Sequence, residues 1–211
     1  MSADNLREAL VEEIRDLYNA EKQLVKALPK MAKGAESDEL REAFESHLEE
    51  TEGQVTRLER VFEILDEKPR GKHCAGMAGI VEEGSEKLQE DMEGSVLDAV
   101  LIASAQKVEH YEIGAYGTAI AWAEALGLNE VVQVLNETLE EEKAADEKLS
   151  ALAEAGINQA ATQGESAEDT EEMEEEDEEE APATRGTSGR RGQQEQPQAS
   201  AKSARARGGR R

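Results

Sequence analysis

The sequence predicts an all-α fold: an antiparallel four-helix bundle with an added short helix in its crossover, followed by a disordered C-terminal tail. Three observations predict it. Ala, Leu, Glu and Lys dominate most of the 211 residues, and only 3% of residues are aromatic, which is the composition of helices. Apolar residues recur at steps of three or four along four long segments. This periodicity ends near residue 158, so we expect a helical domain over residues 1–158 and a tail over residues 159–211.

The first two predicted helices form a hairpin. The first covers about residues 3–33, with Asp4 as the expected N-cap and Gly34 as the stop. Pro29 lies within it and is expected either to kink the helix or to end its regular part. The second helix covers about residues 37–68, up to a Pro-Arg-Gly sequence. Because the loop between them is short, the two helices are expected to be antiparallel neighbours.

The other two long helices form a second hairpin of the same kind. They cover about residues 95–126 and 129–155, and each is followed by a glycine, Gly127 or Gly156. A shorter helix over about residues 76–92 is expected in the long connection between the second and third helices. That connection is long enough to cross the bundle from one hairpin to the other.

Charge and composition restrict the classes of function. The formal net charge is −25, and residues 159–211 carry 13 Asp or Glu and 8 Lys or Arg residues, so −5 of it falls on the tail and −20 on the domain. So acidic a domain is not expected to bind nucleic acid through its body. No apolar run approaches the roughly 18 residues of a membrane span, and the N-terminus lacks the pattern of a secretory signal. With one cysteine, Cys74, and no internal disulfide, we expect a cytoplasmic protein without membrane association.

The predicted tail has two parts of opposite charge. Residues 165–180 are predominantly acidic, and residues 185–211 are rich in Arg, Gly, Ser, Gln and Ala. Neither part can bury enough apolar surface to offset its ordering entropy, so both are predicted to be disordered. The arginines of the basic part are a candidate contact for nucleic acid, although no aromatic residues interleave for base stacking. A solvated tail, or electrostatic contact between its two parts, is the alternative.

Polar residues interrupt the apolar line of each long helix near its middle. These interruptions are Glu21 on the first helix; His47 and Glu50 on the second; Gln106, Glu109, His110 and Glu112 on the third; and Glu142 and Asp146 on the fourth. Charged residues are almost never fully buried unless they are paired or bind metal. Carboxylates that converge at one level repel one another without a cation. The pattern therefore predicts a metal site in the centre of the bundle.

The expected ligands favour iron or manganese, because carboxylate oxygens with one or two imidazoles suit these metals better than zinc or copper. Ferritin-like bundles hold two metal ions with a Glu from each of two helices and a Glu-x-x-His from each of the others. The residues alone leave alternatives open. In a chain with so many charged residues, a Glu on a helix is usually exposed to solvent. His47 could instead be a hydrogen-bonded core residue. Glu112 and Asp146 could each lie at the edge of the bundle. The pair His73-Cys74 is too small to form a site by itself.

Four segments resemble the YciE/YciF-type family of ferritin-like proteins. They are Asp16-Leu-Tyr-Asn-Ala-Glu-Lys-Gln-Leu24, Phe44-Glu-Ser-His-Leu-Glu-Glu-Thr51, Ala105-Gln-Lys-Val-Glu-His-Tyr-Glu-Ile113 and Leu139-Glu-Glu-Glu-Lys-Ala-Ala-Asp146. They occur in this order, and the resemblance covers about residues 3–156. It implies a four-helix bundle with an added short helix, a dinuclear iron-type site, commonly a homodimer, and an association with stress responses.

The resemblance also implies a set of metal ligands. These are the carboxylates of Glu21, Glu50, Glu109 and Glu142 and the imidazole of His47, with Glu112 and Asp146 next. Two departures from the general ferritin-like pattern make the site richer in oxygen: the second helix reads His-x-x-Glu, and the fourth has Ala145 where a histidine is usual. Occupancy by a single ion is therefore an alternative to two iron ions. Gln54 and Gln106 are expected to orient ligands, and Tyr111 and Tyr116 to be core residues with hydrogen-bonded hydroxyls.

Two functions from different classes are compatible with the sequence. The first is a stress-associated metalloprotein that binds two iron or manganese ions and oxidises Fe(II) or reduces peroxide. The second is a stress-related structural or interaction protein, in which the bundle is a dimerisation scaffold, the polar core fixes register and the charged tail binds partners. A homodimer is expected in both cases, because small residues on the third helix permit close helix approach. These residues are Ala103, Ala105, Gly114, Ala115 and Gly117.

Overall fold

The computed structural model describes residues 4–92 and 94–163, which are almost entirely helical. Five α-helices follow one another in this part of the chain: α1 (Leu6–Gly34), α2 (Asp38–Ile64), α3 (Ala75–Lys87), α4 (Gly94–Ala125) and α5 (Asn129–Leu152). A kink follows α5 within Ala153–Ile157, where Gly156 has non-helical backbone angles (φ 165°, ψ −20°), and residues 158–163 are helical again. The predicted all-α class is confirmed. Residues 159–163, predicted as tail, are thus helical, and the remainder of the predicted tail lies outside the described residues.

Side-chain caps show where α1 and α2 begin. Asn5 Oδ1 accepts the backbone N–H of Glu8 at 3.0 Å, so Asn5 is the N-cap of α1. The prediction of Asp4 is wrong by one residue, because a capping oxygen must reach an N–H two or three positions further on. The backbone N–H of Asp4 instead donates to the Glu8 carboxylate at 2.7 Å. Ser37 Oγ accepts the N–H of Leu40 at 3.3 Å, which confirms the predicted start of α2.

Pro29 does not end its helix, whereas Gly127 does. Pro29 lies within α1 on an exposed position, and α1 continues to Gly34, so Pro29 does not end the helix. The helix lacks one backbone hydrogen bond there, because proline has no N–H. Gly127 has a φ of +72°, in the left-handed region that favours glycine, and it ends α4 as predicted. The N–H of Leu128 closes this end by donating to the carbonyl of Ala123 at 2.9 Å.

The short helix α3 differs from its prediction at its C-terminal end. It ends at Lys87 rather than near residue 92, because the N–H groups of Gln89 and Glu90 turn back to carbonyls three residues earlier. Its N-cap is Cys74, whose Sγ accepts the N–H of Met77 at 3.3 Å. The cysteine is fully buried, so its role in the structure is to begin α3 within the core.

The four long helices pack as two hairpins. Helix α1 packs along α2, and α4 packs along α5; α1 also contacts α4, and α2 contacts α5. Helix α3 lies against α4 and α1. Asp98 on α4 joins the hairpins at one end: its carboxylate accepts the N–H groups of Glu36 and Ser37, in the α1–α2 loop, at 2.9 and 2.8 Å. No helix in the described ranges has the length and apolar character needed to span a membrane.

The core consists of two apolar layers with a polar layer between them. One apolar layer contains buried residues of α1 from Leu10 to Tyr18, with partners such as Phe62 and Ile120. The other contains α1 residues from Ala20 onwards, with partners such as Phe44. The polar layer lies near the middle of each long helix and contains buried Glu21, His47, Thr51, Gln54, Glu109, Glu112, Thr138 and Glu142. The helices thus bring five of the predicted polar interruptions to one level: Glu21, His47, Glu109, Glu112 and Glu142.

Candidate metal centre

Each long helix contributes at least one buried ionisable side chain to the polar layer. Glu21 on α1, Glu112 on α4 and Glu142 on α5 have no exposed surface, and Glu109 on α4 is 2% exposed. His47 on α2 is 6% exposed. The alternatives of a solvated Glu21 and of Glu112 at the edge of the bundle are therefore excluded by the fold.

Four of these side chains converge on one point. One potential ligand atom from each of His47, Glu109, Glu112 and Glu142 lies within 4.8 Å of the others. His47 Nε2 is 3.4 Å from Glu109 Oε1 and 3.8 Å from Glu142 Oε2. Carboxylates and an imidazole at this spacing can surround a single cation, because metal–ligand bonds of about 2 Å draw ligand atoms to within a few ångströms of one another.

Many atoms of this layer lack a hydrogen-bond partner among the described residues. They are Glu21 Oε2, His47 Nε2, Gln54 Oε1, Glu109 Oε2, both oxygens of Glu112, and Glu142 Oε2. Buried polar groups in proteins are normally hydrogen-bonded, and a cluster of unsatisfied ones calls for a specific cause such as an ion. Every one of these atoms is a metal-binding type. The side chains present therefore fit a bound cation.

The electrostatics of the layer lead to the same conclusion. Burial raises the pKa values of Glu21 and Glu112 well above the usual range, and the charge of Glu142 raises both further. Burial also raises the pKa of Glu109 well above its usual range, and it raises the pKa of Glu142. Without a cation burial and the neighbouring negative charges favour the protonated form of these carboxyl groups. A cation reverses the effect, because it favours the ionised carboxylates.

The imidazole of His47 is oriented by a contact at Nδ1, the ring nitrogen that faces away from the converging carboxylates. His47 Nδ1 lies 3.3 Å from Glu50 Oε2, and the His47 side chain lowers the pKa of Glu50 through this hydrogen bond. When Nδ1–H donates to the Glu50 carboxylate, the lone pair of Nε2 faces Glu109 and Glu142. Thr51 Oγ1 donates to the backbone carbonyl of His47 at 2.7 Å, within the helix. Glu50 thus orients the imidazole in this structure, and its prediction as a direct ligand remains a prediction.

The carboxylate of Glu142 is oriented by a chain of polar contacts. Gln54 Nε2 donates to Glu142 Oε1 and, at 3.1 Å, to Glu141 Oε2. Arg57 donates to both oxygens of Glu141 and, at 3.2 Å, to Thr138 Oγ1. The expectation that Gln54 orients a ligand agrees with this geometry. The participation of Arg57 and Glu141 was missed by the sequence reasoning, although Arg57 lies three residues after Gln54 on the same helix.

Tyr116 is the fully buried partner of Glu21. Its hydroxyl donates to Glu21 Oε1, and burial raises the pKa of Tyr116 well above its usual range. Tyr116 is therefore a core residue with a hydrogen-bonded hydroxyl, as expected. Tyr111 is half-buried against the core, and its hydroxyl is hydrogen-bonded as expected: it donates to Asp16 Oδ2 at 3.0 Å and lies 2.9 Å from Cys74 Sγ.

The remaining predicted ligand, Asp146, lies outside the converging group. Gln106 Nε2 donates to Asp146 Oδ1 at 3.2 Å, and His110 Nε2 lies 3.4 Å from Asp146 Oδ2. His110 is exposed over 69% of its side chain, so this pair is at the surface between α4 and α5. Gln106 thus contacts Asp146, whose role as a ligand remains a prediction.

Residues 5–162 match the protein family described as "Domain of unknown function (DUF892)". The chain belongs to this family. YciF of Escherichia coli (strain K12) is 43% identical over 162 residues, which are 76% of this chain and 98% of YciF. These matches confirm the resemblance to the YciE/YciF-type family that the four sequence segments carry.

Solved structures show the same fold. The crystal structure of the E. coli stress protein YciF aligns with a TM-score of 0.72 and covers 74% of this chain and 99% of that one. YcfI from Rhodopseudomonas palustris is 46% identical, with a TM-score of 0.69 and coverage of 71% and 97%. A protein from Xanthomonas campestris pv. campestris, at 24% identity and a TM-score of 0.59, is similar in fold alone.

Proposed function

We propose that this bundle binds two transition-metal ions, iron or manganese, in its central polar layer. The observation that supports the proposal is the group of buried ligand atoms without hydrogen-bond partners among the described residues. Each unsatisfied buried polar group destabilises a fold by about 1–3 kcal/mol, and charged groups by more. A cation offsets several of these penalties at once. The donors are carboxylate oxygens and one imidazole, a set that suits iron or manganese better than zinc or copper.

The contacts divide the donors into two groups. His47, Glu109 and Glu142 lie together around His47 Nε2 and would hold one ion. Glu21 and Glu112, two fully buried carboxyl groups whose charges act on each other, would hold the second, and Glu112 also belongs to the converging group. Glu142, fully buried within the converging group, would be the carboxylate that α5 contributes to the site. Glu50 would hold the imidazole of His47 from outside.

Two iron ions bound here would supply one-electron oxidation and reduction steps, and we propose Fe(II) oxidation or peroxide reduction as the activity. The side chains of the chain would bind and orient the ions and keep the site dry. Tyr116 would hold a proton next to Glu21, and Gln54 would hold the carboxylate of Glu142 in place. The apolar layers on both sides of the site would exclude water and strengthen its electrostatic interactions.

We further propose that the protein takes part in a stress response in the cytoplasm and forms a homodimer. The first part rests on the relative from E. coli, which is described as a stress protein. The dimer rests on the outer face of α4, where a Cβ added at Gly114 or Gly117 would meet nothing within 4 Å. Light scattering that gives a monomer mass at both low and high salt would contradict the dimer.

Metal analysis tests the central proposal. The full chain is purified aerobically, stripped with a chelator, and titrated with Fe(II) or Mn(II) without oxygen. We expect saturation at two ions per chain, with protons released on binding, because the raised pKa values mean that the carboxyl groups give up protons to the cation. Mixing the Fe(II)-loaded protein with O2 or peroxide then tests the activity.

Two Glu→Gln variants on α4 supply the matched comparison. Glu109→Gln removes one charge from the converging group, and we expect at least a ~10-fold loss of metal affinity. Glu124→Gln removes one charge from the exposed surface of the same helix and should bind as the wild type does. A wild-type chain that takes up no stoichiometric metal would overturn the proposal and would favour the structural and interaction protein instead.

A further inference from the structure

The polar layer raises a problem of access, because its donors are 0–6% exposed and the apolar layers close it along the bundle axis. An ion must therefore pass between two helices. A small cleft of about 100 Å³ opens at the α2–α5 seam. His47 and Glu109 form its buried inner end, and Glu50 and Lys148 lie at its exposed rim. The cleft thus joins solvent to two of the four converging side chains.

We propose that this α2–α5 cleft is the route by which a divalent cation reaches the polar layer, with Glu50 as the first carboxylate that it meets. The inference rests on the proposed metal-binding function and adds to it the path of uptake.

The position of Glu50 supports this route. Its side chain is 43% exposed, whereas the side chain of Glu109 is 2% exposed. One Glu50 oxygen contacts His47 Nδ1 at 3.3 Å, so the carboxylate touches both the solvent and a side chain of the converging group. Of the other two acids that line the cleft, Glu109 lies at its inner end, and Glu141 has both oxygens bound by Arg57 and is less available to a passing cation. Glu50 is therefore placed as a transfer point between water and the inner donors.

Four of the residues that line the cleft have small side chains, beside the larger Phe44 and Leu149. Ala43 and Ser46 line it from α2, and Ala144 and Ala145 line it from α5. None of these four side chains extends more than one atom beyond Cβ, so a gap remains between the two helices. Four other clefts on the described part of the chain are lined by none of the candidate metal ligands. The α2–α5 seam is the one of these five openings that leads to the polar layer.

Filling the cleft provides a steric test. Ala145 is half-buried on its wall, and Ala145→Leu should block it without removing a donor. The matched control is Ala27→Leu, which adds the same side chain at a half-buried alanine of a cleft beside α3. The metal-free full chain is mixed with Co(II) in a stopped-flow instrument, and the Co(II) absorption gives the uptake rate; equilibrium titration gives the number of ions bound. We expect uptake to slow at least ~10-fold in Ala145→Leu, within the range by which access alters association rates, with an unchanged number of ions.

Charge at the rim provides an independent test. Lys148 opposes the approach of a cation, so Lys148→Met should speed uptake by about two- to threefold at low salt, the effect of one unit charge several ångströms away in water. The difference should vanish at high salt. Lys143→Met is the control, because Lys143 lies on the same helix, pairs with Glu140 and does not line the cleft.

The outcomes separate this inference from the proposed function. Slower uptake in Ala145→Leu, with Ala27→Leu at the wild-type rate, supports the route. Wild-type uptake rates in both Ala145→Leu and Lys148→Met, with full metal content, overturn the route and leave the metal-binding function standing. If Ala145→Leu does not fold, Ala144→Leu at the exposed end of the cleft and Lys148→Met decide in its place. A wild-type chain that binds no Co(II) overturns both.

Discussion

Replacing Glu112 by Gln tests the polar layer in the metal-free protein. Glu112 is fully buried, and neither of its oxygens has a hydrogen-bond donor in the described part of the chain. Burial raises the pKa of Glu112 well above its ordinary value of 4.5, and the charges of Glu21 and Glu142 raise it further. Glutamine has nearly the same shape but carries no charge to desolvate. The substitution therefore removes the electrostatic penalty and leaves the packing almost unchanged.

The sign of the pH dependence follows from the direction of this shift. A carboxyl group whose pKa is higher in the folded than in the unfolded chain binds more protons when folded. The free energy of unfolding then falls as the pH rises from the unfolded value towards the folded one, by about 1.4 kcal/mol per pH unit for one such group. Below the unfolded value of 4.5 the group contributes no penalty. We expect the stability of Glu112→Gln relative to the wild type to rise by about 1.4 kcal/mol per pH unit above that value.

Urea unfolding of the two metal-free proteins between about pH 5 and pH 8 measures this difference. The control is Glu124→Gln, an exposed substitution on the same helix, which should show no pH-dependent difference from the wild type. With metal bound the advantage of the variant should shrink by about 1.4 kcal/mol, or roughly 3–6 °C in Tm, because a ~10-fold loss of affinity removes that much stabilisation. A stability difference that stays constant with pH would refute the reasoning.

Three further predictions follow from individual contacts. Glu50→Ala should lower metal affinity by about 10- to 100-fold, because the imidazole loses its orienting carboxylate; competition with a chelator dye measures this, and unchanged affinity would contradict it. Asp98→Ala should lower the free energy of unfolding by about 2–5 kcal/mol, because two N–H groups of the α1–α2 loop lose their acceptor. Urea unfolding measures this, and the exposed Asp91→Ala is the control that should change it little. Tyr116→Phe should destabilise the metal-free protein by about 1–3 kcal/mol, since Glu21 loses its donor; equal urea midpoints would argue against that hydrogen bond.

The sequence allowed most of the fold to be predicted, because helices of this length record their buried side in a repeat of three or four residues. The ends of helices depend on single hydrogen bonds and were predicted less well: Asn5 rather than Asp4 caps α1, and α3 ends at Lys87. Pro29 is a second example: a proline within a predicted helix is compatible with an end or with a continuation, and in the structure α1 continues to Gly34.

Among the candidate ligands, the sequence by itself determined which polar residues interrupt the apolar lines, because that pattern is a property of each helix alone. Which of these residues converge in the core, and which lie near the surface, was decided only by the tertiary structure. Glu112 and Asp146 both fitted the edge of the bundle; the fold buries Glu112 completely and leaves Asp146 with Gln106 and His110 near the surface. The physical reason is that the rotation and axial offset of each helix are set by packing against the others. Distances between side chains on different helices, and the cleft between α2 and α5, follow from that packing and have no counterpart in the spacing of residues along the chain.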